Sequence, residues 1–223
     1  MNDTTQARQS LAAALARASD YLASRMGAAD IEVKTIGQIV KRYGDQLSNM
    51  VYDVFNGNSD PVDFRRAHKA LLREVAPQVY SEGMNEGGIA EDAQDEEDKA
   101  AMSEAVDDWL GSQLSFVNDF SKAIGEARKD KEQRPAILDR VEMWVNSLRD
   151  FGSQGKAYAN GNEKGTWILG DAEHCKSCLR YAAMKPHRMS WWLARDLPRS
   201  SDLECGGFNC ACDIVDSEGN SLL

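Results

Sequence analysis

The chain has 223 residues, of which 42% are hydrophobic and 28% are charged, and its formal net charge is −10 at pH 7. These fractions are ordinary for a globular protein, and so negative a charge argues against a surface that binds nucleic acid over its whole extent. No uncharged apolar run reaches the roughly 18–20 residues that cross a bilayer, and no secretory signal is visible, so we expect cytoplasmic synthesis and no membrane association.

The first predicted element is an alanine-rich amphipathic helix over residues 4–26, followed by Gly27 as a helix stop. We therefore predict an N-terminal helical arm over residues 1–30. Its apolar positions are spaced as on one face of a helix: Leu11, Leu15, Ala18 and Leu22.

Four further helical patterns predict a helical domain over residues 31–158. The second of them begins with an acid and a proline at Asp60-Pro61, a favourable helix start, and is expected to stop near Gly83. Residues 84–98 are predicted to form a loop, and the glycines between residues 151 and 155 to break the fourth helix. The four predicted segments cover about residues 36–55, 61–83, 99–126 and 134–150.

Charge is distributed unevenly along the chain. Between residues 89 and 108 the acids outnumber the bases nine to one, which predicts a solvated loop and helix start, or a docking surface for a basic partner. Between residues 176 and 199 the bases outnumber the acids six to one, so this basic stretch is a candidate contact with DNA or with an acidic protein. The six bases are Lys176, Arg180, Lys185, Arg188, Arg195 and Arg199.

Residues 159–223 differ in character and are predicted to be a cysteine-rich metal-binding module. The segments are short and rich in glycine, so we expect one or two short strands and one helix near residues 190–194, packed around a metal ion. The fold class predicted for the whole chain is mainly α, a helical body with a small C-terminal cysteine-rich zinc-binding module.

All five cysteines of the chain lie in this module: Cys175, Cys178, Cys205, Cys210 and Cys212. Two close groups separated by about thirty residues are how a chain offers four thiolates to one tetrahedral zinc ion. We predict a structural Zn2+ site formed by the first four cysteines, in which Cys212 or His174 can replace one of them. The Gly206-Gly207 pair would permit the positive φ of a tight turn beside the metal. Disulfides and free thiols remain the alternatives.

We predict that this site is structural and that the chain is not an enzyme. A hydrolytic zinc keeps an open coordination position and a nearby carboxylate base. Asp171 and Glu173 are close in sequence, but a site with four soft donors available is usually closed. The sequence motifs of nucleotide-binding loops, serine hydrolases and zinc deaminases do not occur.

The remaining aromatic and histidine residues are predicted to have packing roles. Trp167, Trp191 and Trp192 flank the cysteines and are expected to form the apolar cluster that covers the metal, or else a partner-binding face. His68 is predicted to be a surface or helix-packing residue, and His187 to be exposed.

The order of motifs in the module resembles the C-terminal part of phage minor head proteins, the head-morphogenesis family that includes protein F of phage Mu. In this chain Ala211 stands where the family commonly has arginine. The residues that carry the resemblance are Trp167, Gly170, His174, Cys175, Cys178, Leu197, Pro198, Cys205, Gly206, Cys210 and Cys212.

The resemblance implies a structural protein of the virion, a minor component of the head that acts in head assembly or in DNA packaging and ejection. It implies that the protein becomes part of a larger assembly, with phage capsid or portal proteins as partners. The alternative function is a nucleic-acid-binding regulator built on the zinc module, with the basic stretch as its contact surface.

Overall fold

The computed structural model describes residues 35–200, 202–207 and 210–223, and it is mainly helical. The predicted helix over residues 4–26, and with it the arm over residues 1–30, lies outside the described residues. Four long helices come first: α1 (Ile36–Asn56), α2 (Pro61–Glu86), α3 (Glu96–Lys129) and α4 (Arg134–Ala159).

The starts of these helices follow from local capping. The carboxylate of Asp60 accepts hydrogen bonds from the two N–H groups at the start of α2, at 2.7 and 2.8 Å, and Pro61 fills the first helical position. Asp95 and Asp98 form a reciprocal capping box at the start of α3. The predicted loop over residues 84–98 is therefore too long, because α2 continues to Glu86 and this box starts α3 at Glu96.

The predicted break of the fourth helix at its glycines is wrong, since α4 runs without interruption to Ala159. The glycines serve close packing between α2 and α4. A Cβ on Gly83 would lie 2.0 Å from the carbonyl oxygen of Gly152, and one on Gly155 would lie 2.3 Å from that of Tyr80. Only residues without a side chain let two helix backbones approach so closely, and this requirement outweighs the low helix propensity of glycine.

A single apolar core fills the four-helix bundle, and 26 of its residues are buried. His68 lies fully buried in this core, which confirms a helix-packing role. Its Nε2 is 3.0 Å from the hydroxyl of Tyr43, and its ring packs edge-on against Trp144 at 4.7 Å between centroids. Burial lowers the pKa of His68 to about 3, so the imidazole is neutral at physiological pH.

The C-terminal region contains three short strands and two short helices, more elements than predicted. The elements are β1 (Lys164–Ile168), α5 (Lys176–Ala182), β2 (His187–Arg188), α6 (Met189–Leu193) and β3 (Asp213–Val215). Strand β1 is central and pairs antiparallel with both others, with Trp167 opposite Ile214 on β3. The predicted helix near residues 190–194 is confirmed as α6, and a second helix, α5, starts beside the first cysteine pair.

The module has its own apolar core, and it rests on the end of α4. Ala157 belongs to the module core although it lies on a helix of the bundle. The ammonium group of Lys156 donates hydrogen bonds to the carbonyl oxygens of Ser221 and Leu223, both at 3.1 Å. The helix α4 thus contributes to both cores. The domain boundary predicted between residues 158 and 159, which separates the helical domain from the module, stays a prediction.

Candidate metal centre

The first cysteine pair is positioned by the start of α5. Cys175 is extended and caps this helix, and its Sγ accepts a hydrogen bond from the backbone N–H of Cys178 at 3.5 Å. The two-residue gap turns Cys178 back towards Cys175, so that their sulfur atoms are 3.5 Å apart. The pair thus presents two sulfurs in the same direction, as a zinc knuckle requires.

The second cysteine group approaches from a tight turn. Gly206 and Gly207 have φ values of 62° and 78°, which confirms the positive φ predicted for this pair. A Cβ on Gly207 would lie 2.2 Å from the carbonyl oxygen of Arg199, so the turn requires glycine for space as well as for conformation. Beyond this turn, Cys210 brings its Sγ to within 3.8 Å of the Sγ of Cys178.

The five thiols converge on Cys178. Two sets of three donors, each with all atoms within 4.8 Å of one another, share this residue. A tetrahedral site with zinc–sulfur bonds of ~2.3 Å places its sulfurs about 3.8 Å apart, close to the separations seen here. The two sets are Cys175, Cys178 and Cys205, and Cys178, Cys210 and Cys212.

The cluster therefore contains one thiol more than a four-coordinate ion needs. All five thiols are free, and the separations of 3.5 and 3.8 Å between neighbouring sulfurs are far longer than a disulfide bond. His174 lies at the edge of the cluster, with its Nδ1 3.8 Å from the Sγ of Cys212. The structure brings together every predicted ligand, including both predicted substitutes.

The electrostatic environment differs among the thiols. Burial raises the pKa of Cys175, but hydrogen bonds from Cys178 and Cys205 outweigh this effect and hold the pKa at about 7. Burial is the largest effect on Cys178 and Cys205, and it raises the pKa of both thiols. Because a thiolate is the metal-binding form, the cluster suits a cation that stabilises several negative charges at once.

Aromatic side chains share the apolar core of the module with Cys178 and Cys212. Trp167 and Trp192 are buried with ring centroids 5.7 Å apart, and the indole N–H of Trp192 donates to the carbonyl oxygen of Gly165 at 3.0 Å. Burial raises the pKa of Cys212, and the indole N–H of Trp167, which makes no hydrogen bond within the usual limits, acts in the opposite direction. These two tryptophans confirm the predicted apolar cluster.

The third tryptophan has a different environment. Trp191 is partly buried, with the ring of His187 stacked at 3.9 Å between centroids and the guanidinium of Arg195 at 4.0 Å from its centroid. His187 is half-buried through this stacking, so the prediction that it is exposed is wrong. Two groups at these distances must occupy opposite faces of the indole, which leaves neither face open to a partner.

Two residues that the sequence did not single out connect the cysteine segments. The backbone N–H of Lys176 donates to the carboxylate of Glu204 at 2.8 Å, and the backbone N–H of Glu204 donates to the hydroxyl of Ser177 at 3.2 Å. This reciprocal pair holds the two cysteine groups in register. Nothing in the sequence pattern distinguishes Glu204 from an ordinary surface acid.

Arg199 connects the cysteine cluster to the bundle. Its guanidinium donates to the carbonyl oxygen of Cys210 at 3.4 Å and pairs with Asp150 on α4 at 3.5 Å. Burial is the largest effect on Asp150 and raises its pKa to about 6, although Arg199 acts in the opposite direction. Arg199 has a φ of 70°, rare for a residue other than glycine, so its position is imposed by these contacts.

Comparison with protein families, with curated proteins and with solved structures finds no match to this chain. Among the described residues, every helix is too short or too polar to cross a lipid bilayer.

Proposed function

We propose that the cysteine cluster holds one structural zinc ion, bound by Cys175, Cys178, Cys205 and Cys210. The convergence of two cysteine groups with sulfur separations of 3.5 and 3.8 Å carries this proposal. Zinc prefers four such soft donors in tetrahedral geometry. Cys212 is the alternative fourth ligand, because it belongs to the same set of donors as Cys210.

Such a site is structural rather than catalytic. Four thiolates close the coordination sphere and leave no position for a water molecule or a substrate. The donor sets found among the described residues consist of cysteines alone, and Asp171 and Glu173 are exposed. The contribution of the metal is then to the stability of the module.

The zinc proposal is tested by the metal content of the purified chain. Mass-spectrometric elemental analysis should find one zinc per chain after desalting, and a thiolate-specific chelator should release it. A chain that folds with its five thiols titratable and no bound metal would contradict the proposal.

The larger function that we propose is that of a minor head protein of a phage particle. The motif order from Trp167 to Cys212 supports it, together with a long helical body that is available for contacts with other proteins. The protein would be present in few copies near the portal and would act in head assembly or in DNA packaging and ejection. Its partners would be capsid or portal proteins.

Mass spectrometry of gradient-purified particles tests this role. The protein should be recovered with the heads, at low copy relative to the main shell protein, and a phage in which the gene is deleted provides the control. Absence from both mature and precursor heads would contradict a virion role. The zinc proposal would stand in that case, because it is tested on the isolated chain.

A second candidate function is contact with DNA through the basic stretch over residues 176–199. Five of its six bases are exposed, whereas Arg199 is engaged with Asp150 and Cys210. Binding of a DNA duplex should then fall between ~50 and ~200 mM salt and weaken further in the double variant Lys185→Ala, Arg188→Ala. The double variant Arg65→Ala, Lys122→Ala, which removes two exposed bases from α2 and α3, is the matched control. Equal binding by all variants would exclude this stretch.

A further inference from the structure

The two donor sets of the cysteine cluster meet at a single sulfur. One set is Cys175, Cys178 and Cys205, and the other is Cys178, Cys210 and Cys212. Within each set the three Sγ atoms all lie within 4.8 Å of one another, and Cys178 is the member that both sets share. The five thiols are therefore arranged as two triangles of sulfurs with one common corner.

A single four-coordinate ion does not use this arrangement completely. A zinc ion that takes four of the thiols leaves the fifth without a metal, whichever four it takes. Two ions that each take one triangle use all five thiols, and they share the sulfur of Cys178 as a bridge. The geometry thus offers a second way to occupy the cluster, besides the single zinc ion.

The sulfur separations indicate the coordination number of such ions. With a metal–sulfur bond of about 2.3 Å, an ion at the centre of a triangle places its three sulfurs about 4.0 Å apart, whereas a linear ion places two sulfurs about 4.6 Å apart. The Sγ of Cys178 is 3.5 Å from that of Cys175 and 3.8 Å from that of Cys210. Both separations are closer to the trigonal value, so each triangle suits a three-coordinate ion.

The donor chemistry then selects the ion. Every donor in both triangles is a cysteine sulfur, and thiolates select soft ions such as Cu(I) and zinc. Zinc is almost always four-coordinate in structural sites, so three sulfurs do not complete its coordination sphere. Cu(I), in contrast, forms stable three-coordinate complexes with thiolates, in which one thiolate can bridge two ions. A pair of triangles with a common corner therefore favours Cu(I).

The burial of the shared sulfur favours its bridging role. Cys178 has only 1% of its surface exposed and belongs to the apolar core of the module. A buried thiolate is costly unless cations compensate its charge, and a bridging thiolate contacts two cations instead of one. Three of the four sulfurs that each bind a single ion belong to thiols that are only partly buried: Cys175, Cys205 and Cys210.

We propose that the cluster binds two Cu(I) ions as an alternative to one zinc ion, with Cys178 as the bridging ligand. The first ion is held by the triangle that contains Cys175 and Cys205, and the second by the triangle that contains Cys210 and Cys212. This second occupancy rests on the proposal that the cluster is a metal site, but it does not require that zinc is the resident metal.

Titration of the full, reduced chain with Cu(I) in the absence of oxygen tests this arrangement. Mass spectrometry of the intact chain under non-denaturing conditions should find two Cu(I) ions per chain at saturation. Addition of two equivalents of Cu(I) to the zinc-loaded chain should release its zinc, because both metals use the same thiols.

Single variants then assign the two ions. Cys205→Ser and Cys212→Ser each remove a corner that only one triangle uses, so each variant should bind one Cu(I) ion instead of two. Cys178→Ser removes the shared corner and should retain neither ion through desalting. His174→Ala is the matched control and should bind two ions, since neither triangle includes this residue. None of these residues lies in the bundle, so the far-UV circular dichroism of the long helices should be unchanged.

The zinc content of the same preparations separates the two proposals. Cys212→Ser should retain one zinc ion although it binds one Cu(I) ion fewer. A natural chain that binds one zinc but only one Cu(I) would overturn the two triangles and leave the zinc proposal intact. Retention of two Cu(I) ions by both Cys205→Ser and Cys212→Ser, or loss of one ion in His174→Ala, would also overturn them. Binding of two Cu(I) ions but no zinc would support the two triangles and contradict the zinc proposal.

Discussion

Replacement of Gly83 by alanine should separate α2 from α4. The added Cβ would lie 2.0 Å from the carbonyl oxygen of Gly152 and 3.0 Å from the backbone nitrogen of Lys156. Both neighbours are main-chain atoms of a helix, so no side chain can rotate to make room. The helices must instead move apart by more than about 1 Å, which weakens the dispersion contacts along their interface.

The expected magnitude combines two opposing effects. Overpacking of a well-packed core costs about 1–3 kcal/mol and occasionally more, and a clash between main-chain atoms belongs at the upper end. The higher helix propensity of alanine offsets about 1 kcal/mol of this cost. We therefore expect Gly83→Ala to lower the free energy of unfolding by about 2 kcal/mol.

Gly111→Ala is the matched control, because Gly111 is exposed within α3 and a Cβ there would meet no atom within 4 Å. This variant should raise the free energy of unfolding by about 0.5–1 kcal/mol. Urea denaturation followed by far-UV circular dichroism measures both. If the two variants proved equally stable, the close approach of α2 and α4 would be refuted.

Three further predictions concern the metal centre and the buried histidine. Elemental analysis should find that Cys178→Ser loses the zinc, because this thiol belongs to both donor sets, whereas Cys212→Ser retains one zinc per chain; retention by both variants would contradict the assignment. Arg199→Ala should lower the stability of the module by about 1 kcal/mol in urea titrations, since it removes the contacts to Asp150 and Cys210. The depressed pKa of His68, about 3, means that its contribution to stability is complete above pH 6.5 and is lost as the pH falls towards 3. Between pH 6.5 and 4.5, the free energy of unfolding of His68→Gln should therefore fall by about 2–3 kcal/mol less than that of the natural chain. Equal falls in the two proteins would show that folding does not lower the pKa of His68.

The helices could be predicted from the sequence because their apolar periodicity and caps are local. The start of α2 at Asp60-Pro61 is an example, since the capping carboxylate and the proline are adjacent in sequence. The continuation of α4 past Gly152 could not be predicted in this way. It depends on Gly83 of α2, about seventy residues earlier in the chain, and a single sequence does not show which helices are neighbours.

The convergence of the candidate ligands could be predicted because their residue type carries the chemistry. Cysteine at short spacing points to a metal wherever the segments lie, and the five thiols do converge. The start of α5 was missed because its cap is the thiol of Cys175 rather than an oxygen side chain. The roles of Glu204 and Arg199 were missed because ordinary charged residues acquire them only through their neighbours in space.

The unequal sizes of the two cores are consistent with the proposed metal site. Within the described ranges, the bundle buries 26 residues in its core and the module buries 11, two of which are cysteines of the cluster. The helices of the module contain seven and five residues and its strands contain five, two and three, lengths that are marginal without a larger core. Binding of zinc is worth about 10–16 kcal/mol in small peptides and adds to the free energy of folding. The zinc ion that we propose at Cys178 would therefore account for how so small a module can stay folded on the end of α4.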